Sequence, residues 1–430
     1  MTTVDHHLLH ASLRDPVLSV PVFHTSVMSR YPDAISFAPG APNPAFAEHF
    51  DATAHVERFL EHLRADEGLS DAAARTALYE YGPGKGLVTG LIAEALRRDF
   101  GLATPRGGVV VTVGAQEAML LLLRALRRDA DDLFAAVDPC FIGFSGAARL
   151  VDAELVPVAE VDGGLDLDGL ARACADARSR GKRVRALYVA PDHANPSGTV
   201  LDLATRRRLL DLAEAEDFLL VEDTTYAFTA EPGAALPMLK QLDTTGRVVL
   251  LGTFSKIALP GARVGYVVAD QPVRRDGATG LLADDLAALK GMISLHTPAV
   301  GQAVVGGMLL AHGGSLVELG RPKAELYRRN LRLLLAALER EIVPGDGLPA
   351  VTWNRPTGGF FVRMRLPVKA DARLMETSAS KYGVLWTPMS QFHLAGAGTD
   401  EIRLSCSFLT PEEIEEGVRR LADFLRGLGG

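Results

Sequence analysis

The chain has 430 residues, 48% hydrophobic and 23% charged, with 45 basic against 53 acidic side chains and a net charge of −8. That length suits two domains with large cores, and an acidic balance without a basic block argues against a nucleic-acid partner. Cys140, Cys174 and Cys406 are too few and too scattered for a disulfide framework or a zinc site, so no metal is expected.

The first residues, "MTTVDHHLLHASLRDP", lack a basic segment followed by an apolar run. No secretory leader and no membrane span are expected, and a cytoplasmic location fits. Residues 1–45 carry no long periodic element and read as an arm that packs against the active site and a small domain. "GPGKGL" (82–87) lacks Ser or Thr after Lys85 and follows no strand, so it is no P-loop.

From residue 46 to about 300 the chain alternates. Apolar runs occur at "VVVTVG" (109–114), "LFAAVD" (133–138), "ELVPVA" (154–159), "ALYVAP" (186–191), "FLLVED" (218–223), "RVVLLGTF" (247–254) and "RVGYVVA" (263–269). Helical patterns such as "AQEAMLLLLRALRR" lie between most of them. This predicts an α/β domain with a mostly parallel sheet buried on both faces. Only the last two runs, joined by a short Pro-Gly link, read as antiparallel. "RRR" (206–208) sits in a leucine-rich helical pattern and reads as a solvated face. Residues 301–430 hold long helices, shorter strands and a last helix capped by Thr410 with Glu413 three residues on, a smaller α+β domain.

Ligands in such sheets bind at the carboxyl ends of strands. The first run ends in "GAQEAM", where Gly114, Ala115 and Gln116 open a helix whose free N–H groups suit a phosphate. Phe141 follows the second run and Asn195 the fourth; His193 beside it reads as structural. Glu222 and Asp223 end an apolar strand, where a carboxylate needs a partner, and Tyr226 is three residues on. Lys256 follows "VVLLGTF", flanked by Thr253 and Ser255, with Arg263 beyond a Pro-Gly turn. A lysine in a dry site gives up its proton easily and condenses with aldehydes. Hydroxyls, a helix start and an arginine fork suit a phosphate. Together these groups describe pyridoxal 5′-phosphate, with Asp223 keeping its ring nitrogen protonated.

With those residues in view, the sequence resembles the fold-type-I pyridoxal-phosphate aminotransferases of class I/II over nearly its whole length. "FSKIALPGARVGY" is similar to the family's lysine motif, "NPSG" to its Asn-Pro turn, "EDTTY" to D-x-x-Y and "EIRLSCS" to the segment holding the substrate-carboxylate arginine, here Arg403. "YEYGPGKGL" resembles the segment whose tyrosine, here Tyr81, reaches the neighbouring subunit's phosphate, and "SFAPGAPNP" resembles the glycine segment over the substrate carboxylate, here Gly40. The resemblance implies a seven-stranded, mostly parallel sheet with helices on both faces, a large cofactor domain at 46–300, a small one at 301–430 and a homodimer with shared sites. It implies Lys256, Asp223 and Tyr226 as catalytic residues, and Asn195 at both cofactor and substrate.

The branch near the 2-aminoadipate transaminases and the enzymatic domains of GntR-type regulators is most similar. "RYPDAISFAPG", "VTVGAQEAM" and "GVLWTPMSQF" resemble arylglycine transaminases of glycopeptide-type antibiotic pathways. Phe141 stands where tyrosine is usual, and Ala194, Thr225 and Met389 also depart from the pattern. The expected reaction is ping-pong transfer of an amino group between an amino acid and a 2-oxo acid. Rival expectations are β-elimination, oxygen-dependent oxidation, or a non-enzymatic sensor, for which no DNA-binding module is seen ahead of residue 35. An aromatic substrate is expected at a mouth built from the arm before Phe37, Tyr226 and the stretch from Trp386 to Phe392.

Overall fold

In the computed structural model the described residues are 3–19, 26–48, 50–161, 164–343 and 350–428. The larger sheet runs in the order Val109–Thr112, Gly265–Val268, Val248–Thr253, Leu219–Asp223, Arg183–Val189, Asp132–Asp138, Leu155–Val161, Gly164–Leu165. The five strands from Val248–Thr253 to Leu155–Val161 are parallel to one another. Gly265–Val268 is antiparallel to both of its neighbours. Each of the seven apolar runs is a strand. The eighth, Gly164–Leu165, is a two-residue return against Glu160 and Val161, too short to show as an apolar run.

Alternation explains why these strands are apolar throughout. Leu250 and Val268 pack into one core with Val109 and Val111, whereas Val249, Leu251 and Val267 pack into the core on the opposite face. Helices cover both faces of these central strands, so neither set of side chains meets water, whereas the outer strand Leu155–Val161 is partly exposed.

The second sheet runs Thr352–Trp353, Phe361–Arg365, Glu401–Ser405, Thr387–Pro388, all antiparallel. It packs on the helices Leu316–Glu341 and Pro411–Arg426. Thr410 caps the latter, accepting from Glu413 N at 3.2 Å while its own N–H donates to the Glu413 carboxylate at 2.8 Å. From the expected arm, Ile35 and Ser36 pair in parallel with Val384 and Leu385, and Phe37 is buried in the same core. Residues 1–2 and 20–25 of that arm lie outside the described residues.

One face of the Leu316–Glu341 helix joins three segments. Lys323 Nζ donates to the Ala258 carbonyl, Tyr327 Oη accepts from Asn43 N at 3.2 Å, and Asn330 Nδ2 donates to the Cys406 and Leu409 carbonyls at 3.0 and 2.9 Å. These residues recur at helical spacing along a single stripe. No single helix among the described residues is long and apolar enough to cross a membrane.

Arg206 corrects the solvated reading of "RRR". It is fully buried and donates to Asp192 Oδ1 at 2.5 Å and to the carbonyls of Leu201, Pro237 and Pro191 at 2.9, 2.9 and 3.1 Å. A guanidinium fork surrounded by acceptors tolerates burial; Arg207 and Arg208 remain exposed.

A second buried ion pair shapes the turn after Val109–Thr112. Glu117 accepts from Lys290 Nζ at 2.8 Å, Ser294 Oγ at 2.6 Å and Val113 N at 2.7 Å. Lys290→Met would leave that carboxylate without its cation. Urea unfolding should then show a loss of about 3–5 kcal/mol, the usual cost of breaking a buried pair from one side. A loss under about 0.5 kcal/mol, typical of surface changes, would show that the pair does not hold this turn.

Candidate active site

A cavity of about 580 Å³ lies where the carboxyl ends of the large-sheet strands face the second sheet. Its lining includes Gly40, Ala115, Gln116, Phe141, Asn195, Asp223, Tyr226, Thr253, Ser255, Lys256, Arg263 and Arg403. Residues spread over more than 360 positions of sequence thus meet at one place, where open α/β sheets take their ligands.

Lys256 sits in the turn after Val248–Thr253 and donates from Nζ to the Gly40 carbonyl at 2.7 Å. It has no carboxylate partner among the described residues. Desolvation, followed by the nearby Arg403 and Arg263 charges, lowers its pKa to about 8. The amine is therefore a usable nucleophile and base near neutral pH.

At one end of the cavity, Gly114 (φ +76°) precedes the helix Ala115–Leu126, and no side chain caps that helix. A Cβ at Gly114 would lie 2.3 Å from Arg263 Nη2, so only glycine lets the guanidinium approach the helix start. Arg263 donates to Ser255 Oγ at 3.2 Å, and Thr253 Oγ1 accepts from Ser255 N at 3.1 Å. Uncapped amides, hydroxyls and a guanidinium without a carboxylate partner form an anion cradle.

Asp223 ends Leu219–Asp223. Tyr188 Oη donates to its Oδ2 at 2.7 Å, and Thr225 donates to its Oδ1 from N at 2.9 Å and Oγ1 at 2.5 Å. Glu222, beside it, turns the other way and accepts from Leu239 N and Lys240 N at 2.7 and 2.8 Å; burial raises its pKa to about 7.

Arg403 is buried in Glu401–Ser405. It donates to Asn195 Oδ1 at 2.7 Å and to the Ala38 carbonyl at 2.8 Å, while its buried Nε has no partner. Its guanidinium carbon lies 4.3 Å from the Phe361 ring centre and 4.7 Å from that of Phe392. Desolvation lowers its pKa to about 10, which leaves it cationic at neutral pH. Tyr226 is buried edge-on to Phe360 and Phe361, and desolvation raises its pKa.

Three other readings land elsewhere. Tyr81 is 82% exposed, edge-on to His296 at 5.9 Å, and does not line the cavity. His193 is buried against Gly358 and Gly359, outside the lining, with its pKa lowered by burial. Trp386 does not form the mouth. It is wholly buried in the C-terminal core, donating from Nε1 to Ser378 Oγ at 3.1 Å; of that stretch only Phe392 reaches the lining. Sequence reasoning passed over Tyr188, whose signal was a hydroxyl inside an otherwise apolar strand, and Met28, which had none.

The sequence profile of the family "Aminotransferase class I and II" matches residues 46–421. The chain belongs to that family. It is 44% identical over 98% of its length to an (S)-3,5-dihydroxyphenylglycine transaminase from Amycolatopsis orientalis, 94% of which is covered. It is 30% identical to a 2-aminoadipate transaminase from Thermus thermophilus, over 93% of this chain and 92% of the relative. The solved kynurenine aminotransferase of Pyrococcus horikoshii, in complex with PMP, superposes with a TM-score of 0.79 at 26% identity, over 100% of this chain and 97% of that one.

The protein is thus a pyridoxal-phosphate aminotransferase of fold type I. The residues present fit the cofactor. The uncapped helix start beside Arg263 suits a phosphate, and the Lys256 amine without an acid partner suits an aldehyde. In the cofactor-free protein, acylation of Lys256 should rise with pH around 8, because the lowered pKa frees the neutral amine early. Peptide mass spectrometry across pH reads this. A break near the ordinary lysine value of about 10.4 would mean that the amine is not desolvated.

Proposed function

We propose that this aminotransferase takes an aromatic, arylglycine-type amino acid or its 2-oxo acid as one partner, in secondary metabolism. The observation that carries this reading is the cavity's charge inventory. Among the described residues its cations are Lys256, Arg263 and Arg403, and each has a task below; Met28, Met119, Ile142 and Phe392 add apolar surface. A second substrate carboxylate would be buried without a cation, whereas an aromatic ring gains apolar contact. The 44% identity to a dihydroxyphenylglycine transaminase supports the same class.

The cofactor, when bound, supplies an aldehyde for the amino group and a ring that accepts the electrons left at the substrate's α-carbon. The chain's residues do the rest. Lys256 would hold the aldehyde and, once free, would move the α-proton as general base. Asp223, fixed by Tyr188 and Thr225, would keep the proton on the ring nitrogen. Phe141, Asn195 and Tyr226 would hold the ring. Gly114, Ala115, Gln116, Thr253, Ser255 and Arg263 hold the phosphate. Arg403, with Asn195, binds the substrate carboxylate beneath Gly40. Two half-reactions through one site give ping-pong kinetics.

The remaining phosphate contact is Tyr81 of a second subunit. Exposed Tyr79, Tyr81, Met292 and Ile293 are large apolar groups of the kind that assembly covers, and they support a homodimer. Mixing inactive Lys256→Ala with inactive Tyr81→Phe should then restore activity in proportion to the heterodimer formed. Zero activity at every ratio, with subunit exchange verified, would put Tyr81 out of the neighbouring site.

The substrate class is tested in the second half-reaction. The pyridoxamine form should show a kcat/KM at least about tenfold higher for an aryl 2-oxo acid than for 2-oxoglutarate or 2-oxoadipate, a ratio that pocket contacts ordinarily supply. A tenfold preference for the dicarboxylates would discard the aromatic reading and leave the aminotransferase intact.

A further inference from the structure

His393 takes no part in the reaction described above, yet it is buried between carboxylates from both sheets. Its Nδ1 lies 3.1 Å from Asp138 Oδ1, at the end of the strand that leads to Phe141. Its Nε2 lies 3.7 Å from Glu401 Oε2, two residues before Arg403 on the same strand and face. A Cβ at Gly398 would be 2.3 Å from the imidazole Cδ2, so that loop closes directly over the ring.

The other charged groups of this cluster are Arg363 and Glu160. Arg363 donates to Glu401 from Nε and Nη2 at 2.8 Å each and lies 3.8 Å from Glu160. Burial alone would lower the imidazole pKa, but Asp138 and Glu401 outweigh it and push it up to about 9. His393 is therefore cationic at neutral pH and loses that charge as pH rises through about 9.

The residue before it completes the connection. The Phe392 carbonyl accepts from Cys140 N at 2.8 Å, and Leu394 N donates to Asp138 Oδ1 at 3.1 Å. Between these two anchors the Phe392 ring lies over Arg403. Neither ring nitrogen meets hydrogen-bond geometry among the described residues, so the link is ionic: a cation between Asp138 and Glu401 draws together the strand carrying Arg403 and the turn carrying Phe392.

We propose that His393 is a positioning residue for the substrate carboxylate: by bridging Asp138 and Glu401 it holds Phe392 over Arg403 and keeps the guanidinium preset for its anion. This rests on the reading of Arg403 as the carboxylate's partner. The bridge joins the two sheets across the cavity edge, and so links substrate anchoring to the Asp138–Phe141 segment.

The test is calorimetric titration of the holoenzyme with phenylacetate, which has a carboxylate and no amine, and with phenylacetamide, its neutral counterpart. His393→Gln should weaken phenylacetate about tenfold, a coupling ordinary within one contact network, and leave phenylacetamide unchanged. Phe392→Leu should do the same, and the double variant should be no weaker than either single one. Equal loss of both probes, no loss of phenylacetate, or additive losses would overturn the proposal. If His393→Gln does not fold, Asp138→Asn decides: it removes one end of the bridge and should weaken phenylacetate about tenfold with phenylacetamide level, and unchanged phenylacetate binding overturns the proposal. Arg403→Ala separates the two claims. If it leaves phenylacetate binding unchanged, the Arg403 reading fails and this inference with it; if it abolishes binding while His393→Gln does not weaken it, only this inference fails.

Discussion

Arg403 is buried with no acid beside it, and Lys256 faces the same cavity with only a carbonyl for its amine. Among the described residues the cavity lining holds one carboxylate, Asp223, and Tyr188 and Thr225 already occupy it. Elsewhere the buried Arg206 and Lys290 have acids, Asp192 and Glu117, whereas the buried Lys323 has the Ala258 carbonyl. Holding positive charge out of water without a counter-ion costs several kcal/mol per group. The protein meets that cost in two ways. It lets the Lys256 amine lose its proton near pH 8, and it turns the carbonyls of Ala38 and Gly40 and the amide oxygen of Asn195 toward the cations. What remains is a site with a standing demand for anions, which a phosphate and a substrate carboxylate satisfy.

That demand persists only if the cations cannot swing to the nearest acid. Arg363 occupies Glu401, the carboxylate closest in sequence to Arg403, and Asn195 and Ala38 hold two guanidinium nitrogens in place. The helix Leu316–Glu341 holds the backbone on which these groups ride. Its Lys323, Tyr327 and Asn330 bond to the turn after Lys256, the segment after Gly40 and the loop after Arg403. Three pieces of chain that share no sheet keep their spacing because one helix face touches all of them.

Much of the cavity lining was legible because its groups lie in short stretches tied to strand ends. An apolar run followed by Thr253, Ser255 and Lys256 declares both the strand and the group at its tip. The central strands were equally plain, since burial on both faces leaves no polar alternation. What stayed hidden depends on contacts far apart in sequence. Arg206 looks solvated until Asp192 and three carbonyls close around it. Trp386 looks like a cavity wall until the strand pairing with Thr387 and Pro388 turns it into the core. His393 carries no local pattern at all, because Asp138 lies 255 residues before it and arrives only when the two sheets meet. The two-residue strand Gly164–Leu165 is a return that only pairing defines.

The division between legible and hidden parts follows a division of labour. The groups proposed to hold the cofactor sit on one sheet, where strand ends and helix starts fix them locally. The wall facing the substrate is assembled from Met28 and, hundreds of residues further along the chain, Phe392 and Arg403. The two parts are not independent. Cys140 N holds the Phe392 carbonyl, and the next residue, Phe141, is proposed to help hold the cofactor ring. A change in the turn at Cys140 would shift ring and wall together. Substitutions that retune the substrate while sparing the cofactor are therefore best sought at side chains such as Met28, which reach the cavity from a segment that bears none of the phosphate or ring contacts.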